Sequence, residues 1–110
     1  FGSGRQTRDF VYISDVVEAL VSAGRAQRVG HAILNIGSGI EVSISALVDT
    51  IEHVTGLPAH RLYNGEQSSG ASRLVADITL ARKKLGFKPK VVLPEGLRLT
   101  ITHDPRFSLP

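Results

Sequence analysis

The residues of this chain whose types and spacing could do chemistry fall in two groups: Arg8, Phe10 and Tyr12 in one alternating run, and Asn35, Gly37, Ser38 and Gly39 around a glycine-bracketed turn. Arginine presents a planar fork of five N–H donors that matches a phosphate or carboxylate in two-pronged fashion. At a strand start beside Gly2 and Gly4, Arg8 could aim that fork into a cleft, with Phe10 and Tyr12 shaping one wall. The competing arrangement is a local ion pair with Asp9, which would be worth under about 1 kcal/mol if exposed. Gly37 and Gly39 could let a ligand lie against backbone N–H groups as a phosphate cradle, or could mark a plain strand-to-helix turn.

The elements that must position these residues are legible from periodicity. Phe10 and Tyr12 alternate with Val11 and Ile13, which predicts a half-buried strand over 9–13. Ser14 or Asp15 would cap a first helix carrying Val16, Val17, Leu20 and Ala23. Residues 31–36 read as a short apolar strand running into the glycine turn. Ser43 is a suitable N-cap for a second helix whose Ile44, Leu47, Val48, Ile51 and Val54 fall on one side, and Gly56 with Pro58 ends it. Residues 61–63 are predicted extended, and 64–72 form a polar, glycine-rich loop. A brief strand over 73–76 follows, then a third helix capped by Asp77, ending at Leu85 before Gly86. Leu93-Pro-Glu opens a fourth helix, proline being tolerated in the first turn, with Leu97 and Ile101 on its apolar stripe. The tail over 104–110 is predicted irregular. The fold class expected is mixed α/β, with short strands and about four helices.

Several chemistries are excluded. The histidines at 31, 53, 60 and 103 have no His-x-x-x-His spacing, so no metal site is expected. Gly37-Ser-Gly lacks the outer glycines of a nucleophile elbow. Without cysteine there is neither a disulfide nor thiolate chemistry. Hydride chemistry with a bound dinucleotide needs a Gly-rich turn and a proton-transferring pair such as Tyr-x-x-x-Lys, and neither occurs. Tyr12 is followed four positions on by Val16, and Tyr63 by Gln67.

The bulk numbers bound what remains. A chain of 110 residues makes one small domain, burying roughly two thirds of its unfolded surface. With 42% hydrophobic and 21% charged residues, it reads as a soluble globular protein, and no apolar run approaches the roughly 20 residues of a membrane helix. No secretory signal is discernible, so the cytoplasm is the expected compartment. The net charge of +3 does not imply nucleic acid, because the basic residues are scattered. Their one cluster, Arg82, Lys83 and Lys84 with Lys88 and Lys90 beyond, lies at a predicted helix end, where cations complement the dipole. The chain opens on Phe1 and has no methionine, which reads as a fragment, a processed product or the visible part of something longer.

Four stretches, in order, carry a resemblance. They are Phe1-Gly-Ser-Gly-Arg-Gln-Thr-Arg-Asp-Phe-Val-Tyr-Ile-Ser-Asp-Val-Val, Asn35-Ile-Gly-Ser-Gly with Val42-Ser-Ile, Ala76-Asp-Ile-Thr-Leu-Ala-Arg-Lys-Lys-Leu-Gly-Phe-Lys-Pro, and Leu93-Pro-Glu-Gly-Leu-Arg-Leu-Thr-Ile. Together they resemble the C-terminal, substrate-binding part of the NAD-dependent nucleotide-sugar epimerase/dehydratase family, the extended short-chain dehydrogenases/reductases. The resemblance covers nearly the whole chain. It implies a substrate-binding domain over 1–103 and a tail over 104–110, with the Rossmann part absent. It further implies a parent that takes a hydride from a UDP- or dTDP-sugar onto NAD, a cofactor this portion would not itself bind. Arg8 would then contact the diphosphate, and the segment at Asn35 would lie near the nucleotide. The family's Arg-x-Gly-Asp loop aligns with Gln67, Ser68, Ser69 and Gly70, so its arginine and acidic residue are missing unless Arg61 or Arg73 substitutes. Apolar surface exposed by the missing part could also pair copies of the chain as a homo-oligomer.

Overall fold

A computed structural model describes residues 2–27, 30–65 and 70–107. The order is β1 (Thr7–Arg8), α1 (Ile13–Arg25), β2 (Val42–Ser43), α2 (Ile44–Thr55), α3 (Thr79–Leu85) and α4 (Leu93–His103), followed by a 3-10 turn at Pro105–Phe107. This is the mixed α/β class expected, with four helices and a two-stranded sheet.

Strand pairing is brief and sits earlier than alternation predicts. Thr7 and Arg8 lie antiparallel to Ser43 and Val42, and Thr7 also bridges in parallel to Arg73. The Thr7 N–H donates to Ser72 O (2.9 Å) and its carbonyl accepts from Leu74 N (3.2 Å), so three segments meet on one residue. The strand predicted over 9–13 does not form. Tyr12 is extended (φ −78°, ψ 145°) but serves as the N-cap of α1, and Ile13 is already helical. The brief strand predicted over 73–76 is reduced to the one bridge at Arg73, and 31–36 and 61–63 form no ladder among the described residues. A pleated pattern becomes a strand only where another backbone lies alongside.

Helix punctuation follows local chemistry more closely. Ser43 Oγ accepts from Ala46 N (3.1 Å), as an N-cap should, and α2 stops at Gly56 in the left-handed conformation. Asp77 Oδ1 accepts from both Thr79 N (3.0 Å) and Thr79 Oγ1 (2.6 Å), ordering the start of α3 from just outside it, and Gly86 ends that helix. In α4 the proline stands in the first turn. The tail is more regular than predicted over its described part, because Asp104 grips the guanidinium of Arg106 across the 3-10 turn. Residues 108–110 lie outside the described residues.

The predicted cap of α1 is wrong in an informative way. No side chain caps the helix; Asp15 stands inside its first turn, only 2% exposed. Its Oδ1 accepts from Lys90 N (3.0 Å) and its Oδ2 from Val91 N (3.1 Å), tying α1 to the segment that enters α4. The buried side of α1 is therefore Asp15 and Ala19, while Val17 and Leu20 are exposed. Ala19, Ile78, Ala81 and Phe87 form the core, with Leu34, Ile36, Ala76 and Leu85 packed around them. A second layer is made where α2 lies against α4.

Replacing Asp15 removes both acceptors for two partly buried N–H groups at once. Asp15→Ala is expected to destabilise the chain by about 2–4 kcal/mol, and Asp15→Asn, which keeps one acceptor oxygen, by less, as read from urea unfolding.

Candidate functional site

Arg8 is held from both directions. Its backbone pairs with Val42 in the β1–β2 ladder, and its Nη1 donates to Thr7 O (2.6 Å) and Ala71 O (3.0 Å). These carbonyls fix the fork without neutralising it. Among the described residues, Arg8 meets no carboxylate.

Asp9, the residue that could have formed a local ion pair with it, is engaged elsewhere. Its Oδ1 accepts from Ser38 N (2.8 Å) and Ser38 Oγ (2.6 Å), and its Oδ2 from Gly39 N (2.9 Å) and Ala76 N (3.1 Å). The glycine turn is shaped around that carboxylate. A Cβ at Gly37 would stand 2.7 Å from both Asp9 Oδ2 and Ala76 Cβ, so no larger residue fits, and Gly39 takes a φ of +73°. The consequence for a phosphate cradle is direct: the Ser38 and Gly39 amides already have an anionic partner in Asp9. Burial alone would raise the carboxyl's pKa. The Ser38 hydroxyl and the amides of Ser38, Ala76 and Gly39 outweigh it and hold the group below the ordinary carboxylate range.

The other expected site residues gather in two adjoining hollows that share Ala76 and Asp77. Arg8 and Asn35 line one, of about 440 Å³, with Leu74. Phe10, Ser38 and Gly39 line the other, of about 550 Å³, with Ile40 and Arg82. Tyr12 is set apart from both. It lines a smaller hollow of about 170 Å³ and packs where a Cβ on Gly96 of α4 would come within 3.5 Å. Phe10 borders this hollow as well.

Neither arginine that might substitute for the altered loop is idle. Arg61 Nη2 sits 2.5 Å from Asp49 Oδ1 and 3.3 Å from Glu52 Oε1 on α2, and Asp49 above all, with Tyr63 and Glu52, raises its pKa further. Arg73 Nε sits 2.8 Å from Glu41 Oε2, while Thr7 Oγ1 donates to Glu41 Oε1 (2.7 Å); the hydroxyl first and then Arg73 lower the Glu41 pKa. Of the loop positions themselves, Gln67, Ser68 and Ser69 lie outside the described residues.

Two features were not signalled by the sequence. One is the Asp9 clamp, whose partners lie 29 to 67 residues away. The other is a hollow of about 250 Å³ where Gly2, Gly4, Ile44, Val48, Arg61 and Tyr63 come together. A window along the chain contains neither. Among the described residues, no group of His, Asp or Glu could hold a metal ion, and no helix is long and apolar enough to cross a membrane.

Comparison with known proteins gives this geometry a setting. Residues 1–37 match the NAD dependent epimerase/dehydratase family. The chain is 38% identical over 101 residues to a putative UDP-glucose 4-epimerase of Methanocaldococcus jannaschii, covering 92% of this chain and 32% of that one. Its fold superposes on the UDP-glucose 4-epimerase of Thermotoga maritima with UDP-glucose at a TM-score of 0.84 and 34% identity, over 94% of this chain and 33% of that one. It also superposes on the UDP-glucuronic acid 4-epimerase of Bacillus cereus in complex with NAD, at a TM-score of 0.77 and 31% identity, over 89% and 31%. The chain thus spans about a third of the length of the relatives it matches.

The clamp makes acid sensitivity specific. A carboxylate held below its ordinary pKa stabilises the fold fully above about pH 4, and that stability is lost as pH falls through the lowered value. Asp9→Asn is expected to lower the melting temperature at about pH 6 and to flatten its decline toward about pH 3. Parallel melting curves for the two proteins would reveal an undiminished acid slope if Asp9 were not its source.

Proposed function

Because the chain belongs to the NAD-dependent epimerase/dehydratase family, we propose that it is the nucleotide-sugar-binding portion of an epimerase, most like UDP-glucose 4-epimerase, with Arg8 as its principal contact to the diphosphate. The observation that carries this reading is the state of the Arg8 guanidinium: oriented by two carbonyl oxygens, while its acidic neighbour is turned onto amides. A cation fixed in place with no carboxylate against it among the described residues favours an incoming anion, and a diphosphate offers the paired oxygens that a guanidinium fork engages. Phe10 and Asn35, in the adjoining hollows, would border the nucleotide, as would Ser38 and Gly39 through their outer surfaces. Gly37 contributes by allowing the turn to close on Asp9.

NAD does not fit these residues. The chain has no dinucleotide turn, and the amides beside its one suggestive pair of glycines are taken by Asp9. Hydride transfer therefore depends on residues beyond those described. The chain alone is expected to give no turnover of UDP-glucose with NAD; carefully purified chain that interconverted the sugar would refute the assignment of binding without chemistry.

A second reading is favoured by the sequence at 67–70, which lacks both the arginine and the acidic residue of the family loop. On that reading, this is a non-catalytic interaction remnant, or its parent is a nucleotide-sugar dehydratase, decarboxylase or reductase. Arg8→Lys in the full-length parent separates a nucleotide-binding role from a structural one. It keeps the charge and loses the fork, so a diphosphate contact predicts about tenfold weaker UDP binding by calorimetry, with the melting temperature little changed. Unchanged affinity with a lowered melting temperature would make the residue structural.

A further inference from the structure

We infer that Glu41 and Arg73 are positioning residues for Arg8: their ion pair, on the sheet face turned away from the Arg8 side chain, holds together the two segments whose carbonyl oxygens orient its guanidinium. This rests on the nucleotide-sugar reading and adds to it residues that need touch no ligand.

The first observation is where the two acceptors come from. Arg8 Nη1 donates to Thr7 O (2.6 Å) in β1 and to Ala71 O (3.0 Å), 63 positions downstream. The fork keeps its direction only while the segment carrying Ala71 stays beside β1. The backbone ties between them are few: Thr7 N donates to Ser72 O (2.9 Å) and Leu74 N to Thr7 O (3.2 Å), around the single bridge between Thr7 and Arg73. Pairing this short has little stability of its own.

The second observation is what reinforces it. Glu41, just ahead of β2, takes a hydrogen bond from Thr7 Oγ1 (2.7 Å) on one oxygen and from Arg73 Nε (2.8 Å) on the other. One carboxylate thus spans β1, the approach to β2 and the segment 71–74. Successive side chains on extended backbone point to opposite faces, and bridge partners share a face. Thr7 and Arg73 are bridge partners, so Arg73 and Glu41 lie on the Thr7 face and Arg8 on the other. Held there, Arg73 does not share an anion with Arg8 in place of the missing loop arginine. It acts on a ligand through Arg8, by keeping the Ala71 carbonyl in reach.

The test measures UDP binding by calorimetry in the full-length parent, with Glu41→Ala, Arg8→Lys and the two combined. Glu41→Ala is expected to weaken binding about fivefold, and Glu41→Gln, which keeps an oxygen for the Thr7 hydroxyl, by less. Because the effect runs through the Arg8 fork, the double variant is expected to bind no more weakly than Arg8→Lys alone, about tenfold below the parent, where independent losses would multiply to about fiftyfold. An exposed ion pair adds little to stability, so the melting temperature of Glu41→Ala is expected to hold. Its Leu74 amide is expected to exchange about tenfold faster, as the tie to Thr7 loosens. Arg8→Lys that leaves UDP affinity unchanged removes the nucleotide-sugar reading, and this inference with it. Where Arg8→Lys does weaken binding, the inference alone is overturned by unchanged affinity in Glu41→Ala, by losses that multiply, or by a Leu74 amide that exchanges as before.

Discussion

The structure depends on a carboxylate that faces away from its neighbour. Asp9 could have closed on Arg8, one residue away; instead it collects a hydroxyl and three amides from two distant segments. Charge-assisted hydrogen bonds to a carboxylate are each stronger than neutral ones, and four of them outweigh what an exposed ion pair would return. The outcome is a division of labour between adjacent side chains. The anion organises the polypeptide and the cation is left oriented at a hollow.

Asp15 repeats the device on a smaller scale. Its two oxygens take two successive amides ahead of α4, so α1 is fastened to the rest of the chain by a buried acid more than by leucine or valine packing. With four apolar residues buried among those described, this chain has little core to rely on, and its loops are held by polar contacts that do not need one. Such contacts are directional, which is why the turn at Gly37 tolerates no side chain.

How much of this could be read from sequence depends on the distance over which each cause acts. Ser43, Gly56 and Gly86 act within one helical turn, and the boundaries they set emerged in the structure as the residue types predict, whereas Asp77 orders α3 from one residue before its cap, Ile78. The strands over 9–13 and 31–36 were misjudged because alternation records which faces differ in polarity, and says nothing of whether a second backbone lies alongside. Asp15 was misjudged because a short acid at a helix start is chemically suited either to capping its own helix or to reaching another segment, and only the fold decides. Residue type marks Arg8 and the Asn35 to Gly39 turn as candidates. The fact that matters most for Arg8, the direction its neighbour faces, was beyond any local pattern.

The reach of these contacts has a consequence for the order of assembly. Asp9 waits for Ala76, 67 positions downstream, and Asp15 for Lys90 and Val91, 75 and 76 positions downstream. Closing loops of that span costs entropy before any contact repays it, so such contacts form late and together. Arg8 and Asp9 emerge from the ribosome together, before Ser38 and Gly39, 29 and 30 positions on, and well before Ala76, 67 positions on. During that interval the two side chains are free to find each other. The guanidinium becomes available to an anion as these partners draw Asp9 away, so its availability reports the closing of those contacts.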